Sequence, residues 1–474
     1  MRKPIAIILG AAGLQACTVG PEYEPPAMAV PAEFRFSIDG AIDAADTEWW
    51  RGFEDPVLDA LIDESLANNN DIRTATANVE QFAAVIGLTR SQAFPQVDYD
   101  AGLGRTQNSR ETGAAASGRV SDFFEANLNV GWEVDIFGRI RRATDAAVAD
   151  TLAAEEVRRG VILSLVTNVA STYIALLSLD EQLVIAERKL DTRKDTVDLF
   201  QLRLDRGIAS ALELEQVKSE LERTAATIPS LRRDIAILEN ALSVLLGRPP
   251  GEIARGKTIE TVGVPPIPAG LPSELLLRRP DLREAEQNLI AANERIGEAV
   301  AEFYPSFNLT AAFGFASDEL QTLFQSSASQ YTLGASMLGP IFTAGFLENQ
   351  LESAEASERA AVSEYREALL TALRESEDAL VTRSTTLEES AAQSRQTDAL
   401  SRYADLAQKR YDNGYVDYLE VLDAERDLFD AQLEKVQLRA DALTSVIEIY
   451  KAFGGGWVDL ADSQTGPRAT VQGL

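Results

Sequence analysis

Residues Phe124-Glu125-Ala126-Asn127-Leu128-Asn129-Val130-Gly131-Trp132-Glu133-Val134-Asp135-Ile136 alternate between two kinds of side chain. The even positions are apolar; the odd ones are acidic, amide or glycine. A period of two gives a β-strand with one apolar and one polar face. Three more stretches share the pattern. Val97, Tyr99, Ala101 and Leu103 alternate with Asp98, Asp100, Gly102 and Gly104. Phe307, Leu309, Ala311, Phe313 and Phe315 form one further stripe, and Tyr331, Leu333, Ala335 and Met337 another. Strands of about 9–11 residues, apolar outside and polar inside with aromatics near the ends, are the pattern of a membrane β-barrel. The alternative is a water-soluble hairpin with one face on a core. On this reading Trp132, Phe313 and Phe315 face lipid, and Asn127 and Asn129 face the lumen. The loops 105–122 and 317–329 are expected outside the cell.

The N-terminus favours the membrane reading. Met1-Arg2-Lys3 is basic, and Ile5 to Gly13 is an apolar run too short to span a bilayer. Leu14-Gln15-Ala16-Cys17 follows, and Cys17 is the chain's one cysteine. A small residue before a Cys, just behind an apolar run, resembles the lipobox of bacterial lipoproteins, with Gln15 bulkier than usual. Residues 1–16 are read as a signal peptide and Cys17 as the lipidated residue. An ordinary signal peptide with an incidental Cys is the alternative. No later stretch reaches about 18 uninterrupted apolar residues, so no transmembrane helix is expected.

The body is one unit written twice. Asp71-Ile72-Arg73 recurs as Asp281-Leu282-Arg283, and Phe94-Pro95 as Tyr304-Pro305. Arg203 to Leu221 answers Arg410 to Leu428, pairing Gly207 with Gly414. The expected organisation is a lipidated arm at 17–56, a first repeat at 57–247 and a second at 273–454. A Pro/Gly-rich linker at 248–272 joins the repeats, and a tail occupies 455–474. The hairpins are placed at about 96–137 and 306–342. Long, proline-free helices follow them at about 139–206 and 345–413, each on the order of 100 Å. The last helix carries two apolar stripes. One runs through Leu419, Leu422, Phe429, Val436, Leu443 and Tyr450, the other through Val421, Ala424, Ala431, Leu438 and Ile449. Two adjacent seams need a neighbour on each side, as in a ring of helices. Periodicity alone leaves an ordinary bundle or a fibrous coil open.

Composition removes most chemistry. The chain has 474 residues with 44 Lys+Arg and 74 Asp+Glu, a formal charge of −30. Phosphate recognition wants the opposite balance, so no nucleic-acid partner is expected. There is no His, hence no His-based acid–base catalysis, Ser-His triad or His metal site. One Cys gives no intrachain disulfide and no Cys-rich metal site. No cofactor, metal or enzymatic activity is expected. Acidic side chains on a lumen wall would favour cations; a solvated acidic exterior is the alternative. Three Met offer no methionine path for soft metals.

Four strands cannot close a barrel in lipid, because open edges leave backbone groups unsatisfied. Three copies supply twelve strands, and the same three copies supply twelve helical columns. The expected fold class is mainly α with a small β portion. It is a trimeric 12-stranded transmembrane β-barrel continuous with a 12-column periplasmic α-helical barrel.

Several motifs together resemble the TolC-type outer-membrane efflux proteins, in their lipoprotein (NodT/OprM-like) branch. They are Cys17-Thr18-Val19-Gly20-Pro21-Glu22-Tyr23, Trp49-Trp50-Arg51-Gly52-Phe53-Glu54-Asp55-Pro56 and Arg279-Pro280-Asp281-Leu282-Arg283. Tyr418-Leu419, Leu422-Asp423-Ala424-Glu425-Arg426 and Gly454-Gly455-Gly456-Trp457 complete the set. The resemblance implies a homotrimeric exit duct of a tripartite efflux system, lipid-anchored in the outer membrane and reaching into the periplasm. Its partners are then a periplasmic adaptor (membrane fusion) protein, an inner-membrane pump of RND-type and outer-membrane lipid. It also implies a periplasmic gate of leucine and carboxylate rings. By motif position these are Leu419, Glu420 and Asp423, with Arg426 beside Asp423 and Tyr411 before the turn. Val416 replaces the basic residue some members carry after the turn, and the first repeat has Glu213 and Gln216 at the corresponding places. An exit duct for protein secretion is the alternative within transport. A lipid-anchored trimeric coiled coil is the alternative outside it.

Overall fold

The computed structural model describes residues 18–28, 30–36, 48–107, 120–267 and 278–455. Cys17, the signal peptide, the loop tip at 108–119, part of the linker and the tail beyond 455 lie outside the described residues. Seven α-helices and four strands are described: α1 Pro56–Asn68, α2 Asn70–Ser91, β1 Gln96–Gln107, β2 Val120–Val134, α3 Arg139–Asp205 and α4 Ala211–Leu245 come first. They are followed by α5 Pro280–Ala301, β3 Ser306–Ser317, β4 Ser329–Leu338, α6 Phe346–Asp412 and α7 Tyr418–Ala452. Lengths recur between halves: α2 and α5 have 22 residues each, α3 and α6 have 67, and α4 and α7 have 35.

Helix boundaries follow local chemistry. Asp55 is extended, its carboxylate accepts the Val57 amide, and Pro56 occupies the first helical position. The short helix α1 was not distinguished by apolar spacing. Asn69, extended in turn, separates it from α2 and accepts the Asp71 and Ile72 amides. Helices α2 and α5 end some residues earlier than X-Pro alone predicts. The chain tightens first, with Phe94 N–H bonded to Ser91 O and Tyr304 N–H to Ala301 O, both at 3.1 Å.

The chain forms two compact units. Among the described residues, the first holds the segment ending at Ala27, Val79–Ala154 and Ala285–Tyr365. It contains the sheet, which is antiparallel in the order β1-β2-β3-β4. Below the sheet, Leu289, Ala292 and Ala361 pack together with Tyr23 and Val362. The N-terminal arm is tied there: Val19 N–H bonds Phe137 O, Arg142 Nε bonds Val19 O, and Asn293 Nδ2 bonds Pro21 O.

The second unit holds Met28–Asn78, Glu155–Glu284 and the segment from Arg366 onward. Its core joins Trp49, Trp50 and Phe53 to Val166, Tyr173 and Ile174 of α3 and to Leu443, Ile447 and Tyr450 of α7. Two motifs noted in the sequence are braces here. Asp55 is fully buried and accepts from Tyr173 Oη and Lys257 N, both at 2.9 Å. Arg279 reaches the Ala452 carbonyl and pairs with Asp281 and Glu375. It thereby ties the end of α7 to the start of α5. Burial pushes the Tyr450 hydroxyl up to about 12. One 18-residue stretch of α3 is apolar enough to cross a membrane by composition, but 61% of it is buried inside the protein. Its apolar side chains serve the core instead.

Candidate functional site

The strand register decides what the sheet can do. Val130 lies opposite Val97 on β1 and Ala311 on β3; Leu128 lies opposite Tyr99 and Phe313. Phe313 faces Tyr331, and Ala311 faces Leu333. Directly opposed residues share a face. All four apolar stripes therefore fall on one side of the sheet. That side is exposed: Tyr99 is 85% accessible, Leu103 80% and Leu333 76%. Trp132 shares it but is half-buried at its foot, with its indole N–H donated to Ala93 O at 2.9 Å. So large an exposed apolar surface requires an apolar medium or a partner.

The opposite face is polar and hydrogen-bonded across strands. Asp100 accepts from Asn127 at 3.1 Å and Asn129 at 2.5 Å, and Gln330 donates to Asn127. Phe123 is an aromatic exception on this face, and its ring fills the space left by Gly104. The first hairpin is longer than the spacing predicts. Residues 105–107 and 120–122, expected in the loop, belong to the ladder. Arg105 and Asp122 form a two-pronged ion pair there, on the apolar side and beyond Leu103. A charged pair closes that face at the end where a polar boundary is expected. Among the described residues, strands β1 and β4 each have one unpaired edge.

The residues singled out for a gate lie in the second unit, around the turn between α6 and α7. The two helix–helix turns are built alike. Gly207 and Gly414 have φ of +71° and +73°, a left-handed conformation that side chains disfavour. Each turn closes by the same pair of backbone bonds, Gly207 N–H to Leu204 O with Ile208 N–H to Arg203 O, and Gly414 N–H to Tyr411 O with Tyr415 N–H to Arg410 O. Their side chains then differ. In the first turn, Ser210 and Glu213 form a reciprocal capping box. In the second, Asp417 makes no such cap, and Glu420 pairs with Arg410 at 2.8 Å.

Tyr411, Glu420 and Arg410 are thus brought together at one turn, with Leu419 about half-exposed beside them. Asp423 and Arg426 pair with each other at 3.1 Å, one helical turn further on. Four neighbours, Phe200, Arg203, Arg410 and Tyr418, carry no gate role in the sequence reading. Arg203 donates to Tyr411 Oη at 2.8 Å and lies over the Phe200 and Tyr411 rings. Buried Tyr418 packs on Phe200 and Tyr411 at 4.4 and 4.9 Å between ring centres. Burial raises the Tyr418 hydroxyl, and the Glu425 carboxylate adds to this. Burial also raises Tyr411, against the opposing pull of Arg203. The internal repeat held the missing signal, since it aligns Arg203 with Arg410. Among the described residues no group of three or more Cys, Asp or Glu side chains could hold a metal ion.

An open sheet with a lipid-compatible face and a polar face, carried on very long helices, defines a class: a wall segment of a membrane channel. The chain belongs to the outer membrane efflux protein family, whose family model matches residues 61–248 and 271–455. It is similar to the solvent efflux pump outer membrane protein SrpC of Pseudomonas putida. The two are 34% identical over 456 residues, 94% of this chain and 96% of that protein. It is 35% identical over 452 residues to the cation efflux system protein CusC of Escherichia coli K12, covering 94% and 98%. Its fold matches the open state of the Neisseria gonorrhoeae MtrE outer membrane channel with a TM-score of 0.84 at 31% identity, covering 93% of this chain and 99% of that one. This is an outer-membrane efflux channel protein, mainly α with a small β portion. Members of the family are channels.

Proposed function

We propose that three copies of this chain close their sheets edge to edge into a twelve-stranded barrel, forming the passive exit duct of a tripartite efflux system. The observation that carries this reading is the open, two-faced sheet. Its edges β1 and β4 need partners in lipid, and neighbouring copies supply them at no cost in new chemistry. The duct receives cargo from a periplasmic adaptor and an RND-type inner-membrane pump, and carries out no catalysis. Cargo is drugs or other small molecules; SrpC and CusC, by their names, serve solvent and cation efflux respectively. The mature chain begins at Cys17 and is held in the outer membrane by acyl chains on that residue. Mass spectrometry of the purified protein is expected to give a lipidated Cys17, and an unmodified thiol refutes the anchor.

The gate is proposed at the second turn. Leu419, Glu420 and Asp423 each form a ring of three; Arg426 pairs with Asp423, Arg410 with Glu420, and Tyr411 packs on Tyr418 at the start of the same helix. Glu420→Ala combined with Asp423→Ala is expected to raise single-channel conductance in planar bilayers and to weaken cation selectivity and divalent block. Unchanged conductance and selectivity place the gate elsewhere. A wild-type protein that forms no pore under any condition sinks the duct itself.

A further inference from the structure

We propose that a cavity at the foot of the sheet binds an organic cation with an apolar, aromatic body. The cavity lies wholly within the first unit and measures about 590 Å³, the size of a small-molecule site. Phe137, Tyr304 and Leu338 supply its apolar wall, and Glu133, Arg139 and Glu302 its charges. Glu133 and Ser306 come from the polar face of the sheet, because Glu133 opposes Asn308 and Ser306 alternates with Phe307 of the apolar stripe.

The charges in the cavity are not balanced internally. Arg139 is engaged by Glu133 through both carboxylate oxygens, at 2.9 and 3.3 Å. Asp135, also on the wall, accepts the Arg141 amide. Glu302 is half-buried, and its carboxylate has no hydrogen bond or ion pair among the described residues. Beside it Phe137 and Tyr304 stack at 4.6 Å between ring centres. A partly desolvated carboxylate next to aromatic faces favours a cation, and a cation carrying apolar groups uses both features. Three carboxylates against one guanidinium disfavour an anion.

The internal repeat supplies an independent comparison. Gln92 and Phe94 stand 210 residues before Glu302 and Tyr304. Their turn forms with the same 3.1 Å backbone bond. The fold does not need a carboxylate at this position, yet one half of the chain has it.

The inference takes from the exit-duct reading only that such cations reach the cavity. Its test is binding of tetraphenylphosphonium to the purified full-length protein in detergent, by equilibrium dialysis, with neutral triphenylphosphine oxide as comparison. Wild type is expected to bind the cation more tightly than the neutral compound. Glu302→Gln, which copies the residue found at 92, should weaken cation binding about tenfold or more and leave the neutral compound unchanged. Tyr304→Ala should weaken both. No cation binding by wild type, as when a second copy fills the cavity, overturns the proposal; so does unaltered binding by Glu302→Gln. If Glu302→Gln fails to fold, Glu302→Ala, which also removes the carboxylate, carries the same comparison. Bilayer conductance of the same preparations reports on the duct separately, so failure of either reading is visible without the other.

Discussion

Placing an arginine on either face of β2 tests the barrel directly. The apolar ladder runs from Val134 opposite Phe307 at one end to Phe124 opposite Leu103 at the other. Val130 lies close to its midpoint, flanked on the same face by Val97 and Ala311. Val130→Arg therefore puts a guanidinium near the bilayer midplane, at a cost of about 2–4 kcal/mol. That is a fall of roughly 30- to 700-fold in the folding equilibrium. Asn129→Arg, one residue away, turns the same side chain to the polar face. There the Asp100 carboxylate, which now accepts from Asn129, can receive it. Its cost is expected to stay within about 0.5 kcal/mol, as for an exposed substitution. Denaturant unfolding in phospholipid vesicles, followed by tryptophan fluorescence, measures both. Equal costs at 129 and 130 refute the assigned faces and with them the lipid-facing stripe. A large cost at 129 and none at 130 shows the sheet to be turned inside out.

Asp55→Ala removes the cap on α1 and orphans the buried Tyr173 O–H donor, which keeps only the bond it accepts from the Gly256 amide, and it frees the half-buried Lys257 amide. The expected loss is about 2–4 kcal/mol, the cap near 1 and the orphaned donor the rest, read by thermal unfolding. A loss under 0.5 kcal/mol would show that Asp55 is not a brace. Glu284→Gln should change stability with pH. Burial first, and Asp281 second, raise the Glu284 carboxyl in the folded chain. Its ionised form therefore destabilises the fold, fully so above the folded pKa. The substitution is expected to stabilise at pH 7, with a gain that shrinks as pH falls through the folded pKa and vanishes below the unfolded value of about 4.3. A gain independent of pH would assign the effect to packing.

Much of this architecture was legible in the sequence. Strand faces follow from strict alternation, because a pleated strand has no other way to separate apolar from polar side chains. The long helices follow from proline-free stretches with apolar residues every three or four positions. The two turns follow from Gly207 and Gly414, where only glycine adopts the left-handed bend without strain. Contacts between distant segments were not legible. The Ser210-x-x-Glu213 spacing is a local capping-box pattern, but nothing in local pattern says that the equivalent Glu420 crosses the turn to Arg410. The pairing of Arg203 with Tyr411 spans 208 residues, and that of Asp55 with Tyr173 spans 118. Such partners are chosen by how helices pack, and packing depends on the whole chain at once. The sequence by itself determined which residues form strands, helices and turns, since those rest on short-range periodicity and backbone sterics. Only the tertiary structure decided that the four apolar stripes merge on one face, and that Glu302 at the cavity has no hydrogen bond or ion pair among the described residues, because both depend on register and on groups far apart in the chain.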